Sequence, residues 1–360
     1  MIKIILSLLI LLVILIIYTN YNKVYERYES FKKNVIILDQ NVSNPNILCS
    51  GNVNSLHYNY SKVLKNFIPL INNKTLGSID NIEKLINNKC NLAITRADVI
   101  TNYFKKNISM LKNKFKLISV LFYENPLLVV KANSNINSWK DLKGKNIGVY
   151  FRKNGSKNIF INLIELYDIE NSDVNIIELD VYNLEKVNNY LNNKNLDGIF
   201  YMIENPNKII YNISNNNIIK IIGIDNIDNN IIKSRFLSWK KTRVYTGKYI
   251  LSDNKYYINS YHSPVYLISK NSFQPDKAYK ILKTILSNRY NLINSFKNKF
   301  YKYVLENITP SDHIGFSKKN IIDYHDGSKQ FLKEIGMISY NKNKKCYLYA
   351  GSGICNETYL

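Results

Sequence analysis

The stretch SWKDLKGKNIGV, from Ser138 to Val149, decides how the chain is organised. A polar turn leads into a loop marked by Gly144, and a short apolar strand follows it. The small residues Asn154-Gly155-Ser156 then open a helix that is predicted to run to about Tyr167. This order indicates that the chain enters a new lobe here. We therefore expect a ligand cleft near the middle of the sequence.

The overall composition favours a large folded protein over a nucleic-acid-binding one. The 360 residues are 46% hydrophobic, which is enough for one large or two medium domains. The net charge of +22 comes from 49 Lys and Arg against 27 Asp and Glu. The lysines are scattered along the chain, whereas a nucleic-acid interface gathers them into one patch. We interpret the excess charge as a solvated surface and expect no nucleic-acid partner.

The N-terminus carries an almost unbroken apolar run from Ile4 to Tyr18, preceded by Lys3. Residues 1–20 are therefore predicted to form a hydrophobic helix, either a signal peptide or a membrane anchor. No small-residue cleavage site follows, so both alternatives stay open. Either segment exports the rest of the chain, with residues 21–44 as a polar tether. The expected location is periplasmic, with or without anchoring to the inner membrane.

The four cysteines are predicted to fall into two groups. Cys346 and Cys355 flank a potential hairpin and can form a disulfide in an oxidising compartment, or remain unpaired thiols. Cys49 and Cys90 each lie beside an apolar strand and are interpreted as small core residues. No Cys/His spacing is typical of a metal site, and no cofactor is expected.

From Pro45 onward, short apolar runs alternate with amphipathic stretches, a rhythm that predicts an α/β fold. A helix–turn–strand pattern that begins at Asn81 recurs at Asn183, as two lobes of similar topology would produce. We assign residues 45–130 plus 245–340 to the first lobe, 131–244 to the second and 341–360 to a C-terminal tail. The chain then crosses between lobes near Lys131 and Val244, and the two crossings form a hinge.

The local patterns also predict individual elements next to the expected cleft. A helix is predicted over Leu56–Ile71. Two separate strands are predicted over Ile118–Phe122 and Leu127–Lys131, and a further strand over Val265–Ser269.

Three loops combine a strand end, small residues and a following helix. They contain Ser50-Gly51 with Ser55, Gly77-Ser78 and Gly155-Ser156. Ser55, Ser78 and Ser156 are predicted N-caps, and the glycines allow backbone N–H groups to approach a ligand. Helix N-termini that converge on a cleft would hold an anion. Plain helix capping is the alternative for each loop taken singly.

Several other polar or aromatic residues are candidates for the same cleft. Arg96 and Asp98 follow one predicted strand, and Glu204 follows another. A guanidinium could grip a carboxylate with two hydrogen bonds, or Arg96 could simply pair with Asp98 at the surface. Tyr58 and Tyr123 offer aromatic walls or hydroxyl donors, although either could belong to the core.

Catalysis finds little support in the sequence. The four histidines form no metal-binding spacing, and neither a nucleophile elbow nor a phosphate-binding loop is present. Asp197 and Glu204 lie beside one strand end, but nothing selects them as an acid and a base. We therefore expect a protein that is not an enzyme.

A series of short motifs follows in order along most of the exported body. They are Ser50-Gly51 with the downstream Tyr58, Gly77-Ser78-Ile79-Asp80-Asn81, Thr95-Arg96-Ala97-Asp98, Leu121-Phe122-Tyr123-Glu124, Asp141–Lys145, Gly155-Ser156-Lys157, Asp197-Gly198-Ile199-Phe200, His313-Ile314-Gly315-Phe316 and Glu334-Ile335-Gly336. From about Ile47 to Gly336 this order resembles the TAXI-type solute receptors of tripartite ATP-independent periplasmic (TRAP) transporters. Arg96 and Lys157 depart from the family pattern, which has Gln and Gly at these places.

The resemblance implies a fold, a function and a set of partners. The fold would be a two-lobed periplasmic binding protein, type II-like, with a hinge. The function would be capture of a small anionic solute, a carboxylate or a glutamate-like amino acid, and its delivery to a TRAP-type membrane permease. A membrane-tethered sensor and an enzyme on the same scaffold are the alternatives. The predicted ligand-binding residues are Ser50, Gly51, Ser55, Tyr58, Gly77, Ser78, Asn81, Arg96, Asp98, Tyr123, Gly155, Ser156 and Glu204.

Overall fold

The computed structural model describes residues 45–105, 113–150, 153, 155–180, 183–193, 195–225, 227–308, 321–341, 346–349 and 355–356. The predicted N-terminal helix and tether lie outside these residues, as does the His313–Phe316 motif. Among the described residues, no helix combines the length and the apolar character that a membrane crossing requires.

One group of strands forms a sheet from residues near both ends of the described chain. Parallel strands covered on both faces read as short apolar runs, and the third strand here is buried along its whole length. Its strands are β1 (Asn46–Gly51), β2 (Leu70–Lys74) and β3 (Leu92–Arg96). β1 pairs in parallel with β2 and β3, and β3 pairs antiparallel with the long strand Tyr257–Lys270 described below.

The middle of the chain forms a second group of strands, and the Lys143–Lys145 loop leads into the first strand that lies wholly within it. The strands are β5 (Asn146–Tyr150), β6 (Asn175–Leu179), β7 (Gly198–Ile203), β8 (Ile219–Ile222) and β9 (Lys240–Tyr245). β5 pairs in parallel with both β6 and β7.

Two long strands, β4 (Phe115–Lys131) and β10 (Tyr257–Lys270), belong to both groups. The N-terminal part of β4, through Glu124, pairs with β10, and from Asn125 onward β4 pairs with β7 and then β8. Similarly, β10 pairs with β9 through His262 and with β4 from there on. We name the group around β1 lobe 1 and the group around β5 lobe 2. The changes of partner on β4 and β10 mark the hinge.

Helices cover the sheets of both lobes. Those of lobe 1 are α1 (Leu56–Leu64), α2 (Ser78–Ile86), α3 (Ala97–Tyr103), α8 (Pro275–Ser287), α9 (Arg289–Asn294), α10 (Lys299–Glu306) and α11 (Asp326–Glu334). Those of lobe 2 are α4 (Ser156–Ile164), α5 (Leu184–Asn192), α6 (Lys208–Asn216) and α7 (Asn229–Arg235). A small separate sheet contains β11 (Ile338–Asn341), β12 (Cys346–Tyr349) and β13 (Cys355–Asn356).

Each lobe buries its own apolar residues, as the two-lobe reading requires. In lobe 1 the core surrounds β3, β4 and β10, whereas in lobe 2 Trp139 packs against Phe160, Tyr167 and Phe200. The predicted α/β architecture is confirmed. The exact division of the chain into lobes stays a prediction, since strand pairing changes before Lys131 on one crossing and after Val244 on the other.

Two predicted elements near the cleft were wrong in their extent. The helix predicted to reach Ile71 ends at Leu64, because Pro69 cannot continue a helix, and the polar segment Leu70–Lys74 then forms β2. The two strands predicted on either side of Asn125 are one strand, β4. Pro126 is tolerated inside it because its partner there is Met202 of β7, at the place where β4 changes partners.

The interpretation of Cys49 and Cys90 as separate core residues was also wrong. The two form a disulfide that links β1 to the turn before β3 across 41 residues of sequence. Both residues are buried, so the burial was predicted correctly and the bond was not. The strand register places Leu348 opposite Cys355. The side chains of Cys346 and Cys355 lie outside the described residues, and their disulfide stays a prediction.

Candidate binding site

A small cavity opens where the carboxyl ends of β1 and β3 meet the hinge part of β4. Ligands of open α/β sheets sit at this edge, because loops and helix N-termini converge there. The residues that line it are Gly51, Asn52, Ser55, His57, Gly77, Ser78, Arg96 and Glu124. Five of the predicted residues, namely Gly51, Ser55, Gly77, Ser78 and Arg96, therefore lie together.

The loop after β1 forms one wall of the cavity. Gly51 has φ of 141°, a conformation that L side chains rarely adopt, so glycine is needed for the chain to turn here. Ser55 is the N-cap of α1, as predicted, and its Oγ accepts from the N–H of Tyr58 at 3.3 Å. Asn52 reaches across the cleft, and its side-chain amide donates to the hydroxyl of Tyr150 in lobe 2 at 2.9 Å.

The loop before α2 forms the opposite wall, and here the predicted capping differs. The N-cap is Gly77, with φ of 140°, and Ser78 is the first helical residue, where its Oγ accepts from the N–H of Arg96. The next two backbone N–H groups, of Ile79 and Asp80, both donate to the carbonyl of Lys153 in lobe 2. A protein carbonyl thus occupies the donors that were expected to hold an anion.

The polar centre of the site is the guanidinium of Arg96, which is 1% exposed. Its Nε donates to Asp98 Oδ1 at 3.0 Å, and its Nη1 lies 3.5 Å from Glu124 Oε2. The other oxygen of Glu124 lies 2.8 Å from His57 Nε2. One guanidinium therefore faces two buried carboxylates. The positive pocket expected from Arg96 and the helix N-termini is not present, because these carboxylates offset the charge of Arg96.

Two residues of lobe 2 extend this polar cluster. Trp239 Nε1 donates to Asp98 Oδ2 at 3.0 Å, so an indole of lobe 2 binds a carboxylate of lobe 1. Glu204 is buried directly after β7 and accepts from the side-chain amide of Asn207 at 2.5 Å. Burial, and next the charge of Glu124, raise the pKa of Glu204 to about 8.

Four predicted residues lie near the cavity without lining it. Ser50 donates to Asn72 Oδ1 at 2.6 Å and so joins β1 to β2. Asn81 is fully buried, and its amide donates to the carbonyls of Ser50 and Ile94, which locks α2 onto the sheet. Tyr58 is half-buried in the first turn of α1. Tyr123 stacks on His262, with ring centroids 4.3 Å apart, beside the hinge.

The third predicted loop reaches the interface between the lobes. Gly155 is the N-cap of α4 with φ of 92°, and a Cβ there would lie 2.6 Å from the side chain of Val99 in lobe 1. Ser156 is buried as the first helical residue, so the predicted N-cap is again the glycine before it. Both N-cap positions have positive φ, which glycine adopts far more readily than serine. Each helix therefore begins with its serine as the first helical residue, directly after the glycine cap.

Sequence reasoning found Asp98 as a partner of Arg96 but missed three other residues of the polar cluster. His57 and Glu124 line the cavity, and Trp239 contacts it through Asp98. One signal was available for Glu124, because an acidic residue inside a long apolar run requires a partner once it is buried. Neither His57 nor Trp239 carries a comparable signal in the sequence.

The fold is similar to several solved structures at low sequence identity. A protein from Bordetella bronchiseptica RB50 has a TM-score of 0.49 at 12% identity, over 81% of this chain and 97% of that one. The GluR0 ligand-binding core in complex with L-glutamate has a TM-score of 0.45 at 11% identity, over 74% and 99%. An ancestral arginine-binding protein bound to arginine has a TM-score of 0.42 at 16% identity, over 72% and 96%.

These TM-scores lie below 0.5, so the assignment to a family rests on sequence. No curated protein matches the sequence significantly. Residues 58–336, which make up more than half of the chain and cover most of lobe 1 and all of lobe 2, match the NMT1-like family. The chain belongs to the NMT1-like family.

Proposed function

We propose that the chain is an extracytoplasmic solute-binding receptor that captures an amino acid or another small carboxylate-bearing solute by closure of its two lobes. The observation that carries the proposal is the buried Arg96 between Asp98 and Glu124 at a cavity beside the hinge. A ligand carboxylate can approach Arg96, and a ligand ammonium group can approach Glu124. A zwitterion satisfies both groups without leaving a buried charge unpaired.

The contacts across the cleft support capture by closure. Trp239 to Asp98 and Asn52 to Tyr150 each join one lobe to the other through a side-chain hydrogen bond. Such bonds exist only when the lobes are together, and a ligand that touches both lobes stabilises that state by the difference in its contacts. The disulfide supports an extracytoplasmic location, because such bonds persist in oxidising compartments.

Delivery to a TRAP-type permease is the further part of the proposal, and the motif order of the TAXI-type receptors supports it. The test is uptake into vesicles that hold a TRAP-type permease from the same organism. Transport of the bound solute should require the receptor. Uptake that is equal with and without the receptor would contradict this part alone.

Solute capture is tested by the thermal stability of the full chain in the presence of amino acids, dicarboxylates and sugars. A ligand that binds only the folded state must raise the melting temperature. Arg96→Ala should remove the shift, whereas Arg235→Ala, which breaks an exposed ion pair with Glu165, should retain it. A screen in which none of these solutes produces a shift, or in which Arg96→Ala responds as the native chain does, would count against the proposal.

A further inference from the structure

Two buried carboxyl groups, those of Glu124 and Glu204, lie near each other at the hinge. Glu124 is the last residue of β4 that pairs with β10, and Asn125, the next residue, pairs with Ile203 of β7. β7 ends at Ile203, and the same register continued by one residue places Glu204 opposite Glu124. Directly opposed residues of paired strands have Cβ atoms about 4.5–5.5 Å apart. Glu124 is 3% exposed and Glu204 is 2% exposed, so water screens neither of them well.

The surroundings of the two carboxyl groups are unequal. Glu124 Oε1 lies 2.8 Å from His57 Nε2, and Glu124 Oε2 lies 3.5 Å from Nη1 of the Arg96 guanidinium. The groups that face Glu204 are the amide of Asn207, the phenols of Tyr249 and Tyr301, and Glu124 itself. Two negative charges at one buried site repel each other strongly, so one of the two acids is protonated. We place the proton on Glu204, because an amide and phenols face it and Arg96 lies beside Glu124.

Groups of both lobes interact with the charge of Glu204. Glu204 follows β7 of lobe 2, and Tyr301, which interacts with its charge, lies on α10 of lobe 1 and donates to the carbonyl of Asn54. Separation of the lobes would therefore remove part of the cover from Glu204 and admit water. Ionised Glu204 would be stabilised in the open form, because water then solvates its charge.

We propose that closure around the solute takes up one proton at the Glu124–Glu204 pair and that opening releases it to solvent. In the closed arrangement Glu204 is protonated, and in the open one it is ionised at neutral pH. The proposal rests on the proposed capture function, since it concerns the closure that captures the solute.

The direction of the pH dependence follows from the raised pKa. Burial and the charge of Glu124 raise the pKa of Glu204 to about 8 in the closed form, whereas a hydrated Glu titrates near its ordinary value of 4.5. Between these values the closed form binds more protons than the open form. Closure is therefore fully favoured below the ordinary pKa and loses this contribution as the pH rises towards 8, by at most about tenfold per pH unit for one proton.

The first test measures closure without any solute. The full chain in mild detergent is followed from pH 5 to pH 9 by small-angle scattering and by Trp emission, since Trp239 bridges the lobes. The native chain should expand as the pH rises, and Glu204→Gln, which keeps the shape of the protonated acid, should stay compact. The matched control Glu185→Gln, an exposed acid of lobe 2, should behave as the native chain does. Identical curves for the native chain and Glu204→Gln, or a flat curve for the native chain, would overturn the proposal.

The second test detects the protonated carboxyl group by infrared spectroscopy. It uses the native chain alone, so it does not depend on whether a variant folds normally. At pH 7 the infrared spectrum of the native chain should contain a carboxylic-acid C=O band that disappears at pH 9.5. A native chain without that band would overturn the proposal.

The third test uses L-glutamate as the probe at pH 6 and pH 8. Its Kd for the native chain should rise by about tenfold to a hundredfold, and its Kd for Glu204→Gln should stay constant. An equal rise in both chains would refute proton uptake at this pair and leave solute capture standing. If L-glutamate does not bind and no solute of the amino-acid, dicarboxylate and sugar screen binds either, the capture function fails, and the solute-free measurements still decide whether the pair holds the proton.

Discussion

The Cys49–Cys90 disulfide should stabilise the fold to a degree that can be worked out from its place in the chain. It closes a loop of 41 residues that contains α1, β2 and α2. The chain-entropy relation gives about 4 kcal/mol for a loop of this length at 25 °C. Because β1 and β3 are already paired in the folded state, the bond acts mainly by restricting the unfolded chain.

The perturbation is the double substitution Cys49→Ala and Cys90→Ala. Urea unfolding of the double variant should give a free energy of unfolding about 2–4 kcal/mol below that of the oxidised native chain, since measured disulfides often fall short of the entropic value. Reduction of the native chain should produce a similar loss. The matched control is the double variant Cys346→Ala with Cys355→Ala, which leaves this loop closed.

Two results would refute the reasoning. The first is a native chain whose unfolding is unchanged by reductant. The second is a peptide map of the oxidised protein in which the Cys49 and Cys90 peptides run separately. The same map decides whether Cys346 and Cys355 are joined, because a two-bridge protein yields both linked pairs and no free thiol.

Three further substitutions test the contacts that shape the site. Trp239→Phe keeps the aromatic packing and removes the donor to Asp98, so the binding free energy in solute titrations should weaken by about 1.5–3 kcal/mol. The control Trp139→Phe removes a hydrogen bond within lobe 2 and should leave the affinity unchanged. Gly155→Ala should destabilise the closed form by about 1–3 kcal/mol, read as a larger radius of gyration with solute, because the new Cβ would lie 2.6 Å from the side chain of Val99 in lobe 1. Asn81→Ala should lower the unfolding free energy by about 2–3 kcal/mol in urea melts, since two buried carbonyls lose their donor; an unchanged midpoint would contradict this.

The parts of the fold that could be predicted from sequence are those that local chemistry determines. The turn at Asp141–Gly144 and the apolar strand after it depend on neighbouring residues, and both are present as predicted. The strand Leu70–Lys74 could not be predicted because Asn72, Asn73 and Lys74 have low strand propensity. It forms through pairing with β1, a contact that local sequence does not contain.

The hinge illustrates the same limit at the scale of the whole chain. Asn125-Pro126 reads as a break between two strands, since proline lacks an N–H group for the ladder. In the structure the strand continues through Pro126, because this is where β4 leaves β10 and begins its pairing with β7. A residue that normally ends a strand is accommodated at the place where the partner changes, and that place is decided by contacts more than 70 residues away in sequence.

The candidate site divides along the same line. Loops with glycine before a helix were found because positive φ favours glycine, and Gly51 and Gly77 both line the cavity. The charge of the site was not found, because it depends on which acids the fold places against Arg96. Glu124 comes from the hinge strand, and sequence separation alone gives no reason to pair it with Arg96. With Asp98 on its other side, Arg96 cannot act as a free cation, and a purely anionic ligand would have to compete with two buried carboxylates for it. A ligand that carries its own positive charge avoids that competition, which is why the geometry favours an amino acid over a simple dicarboxylate.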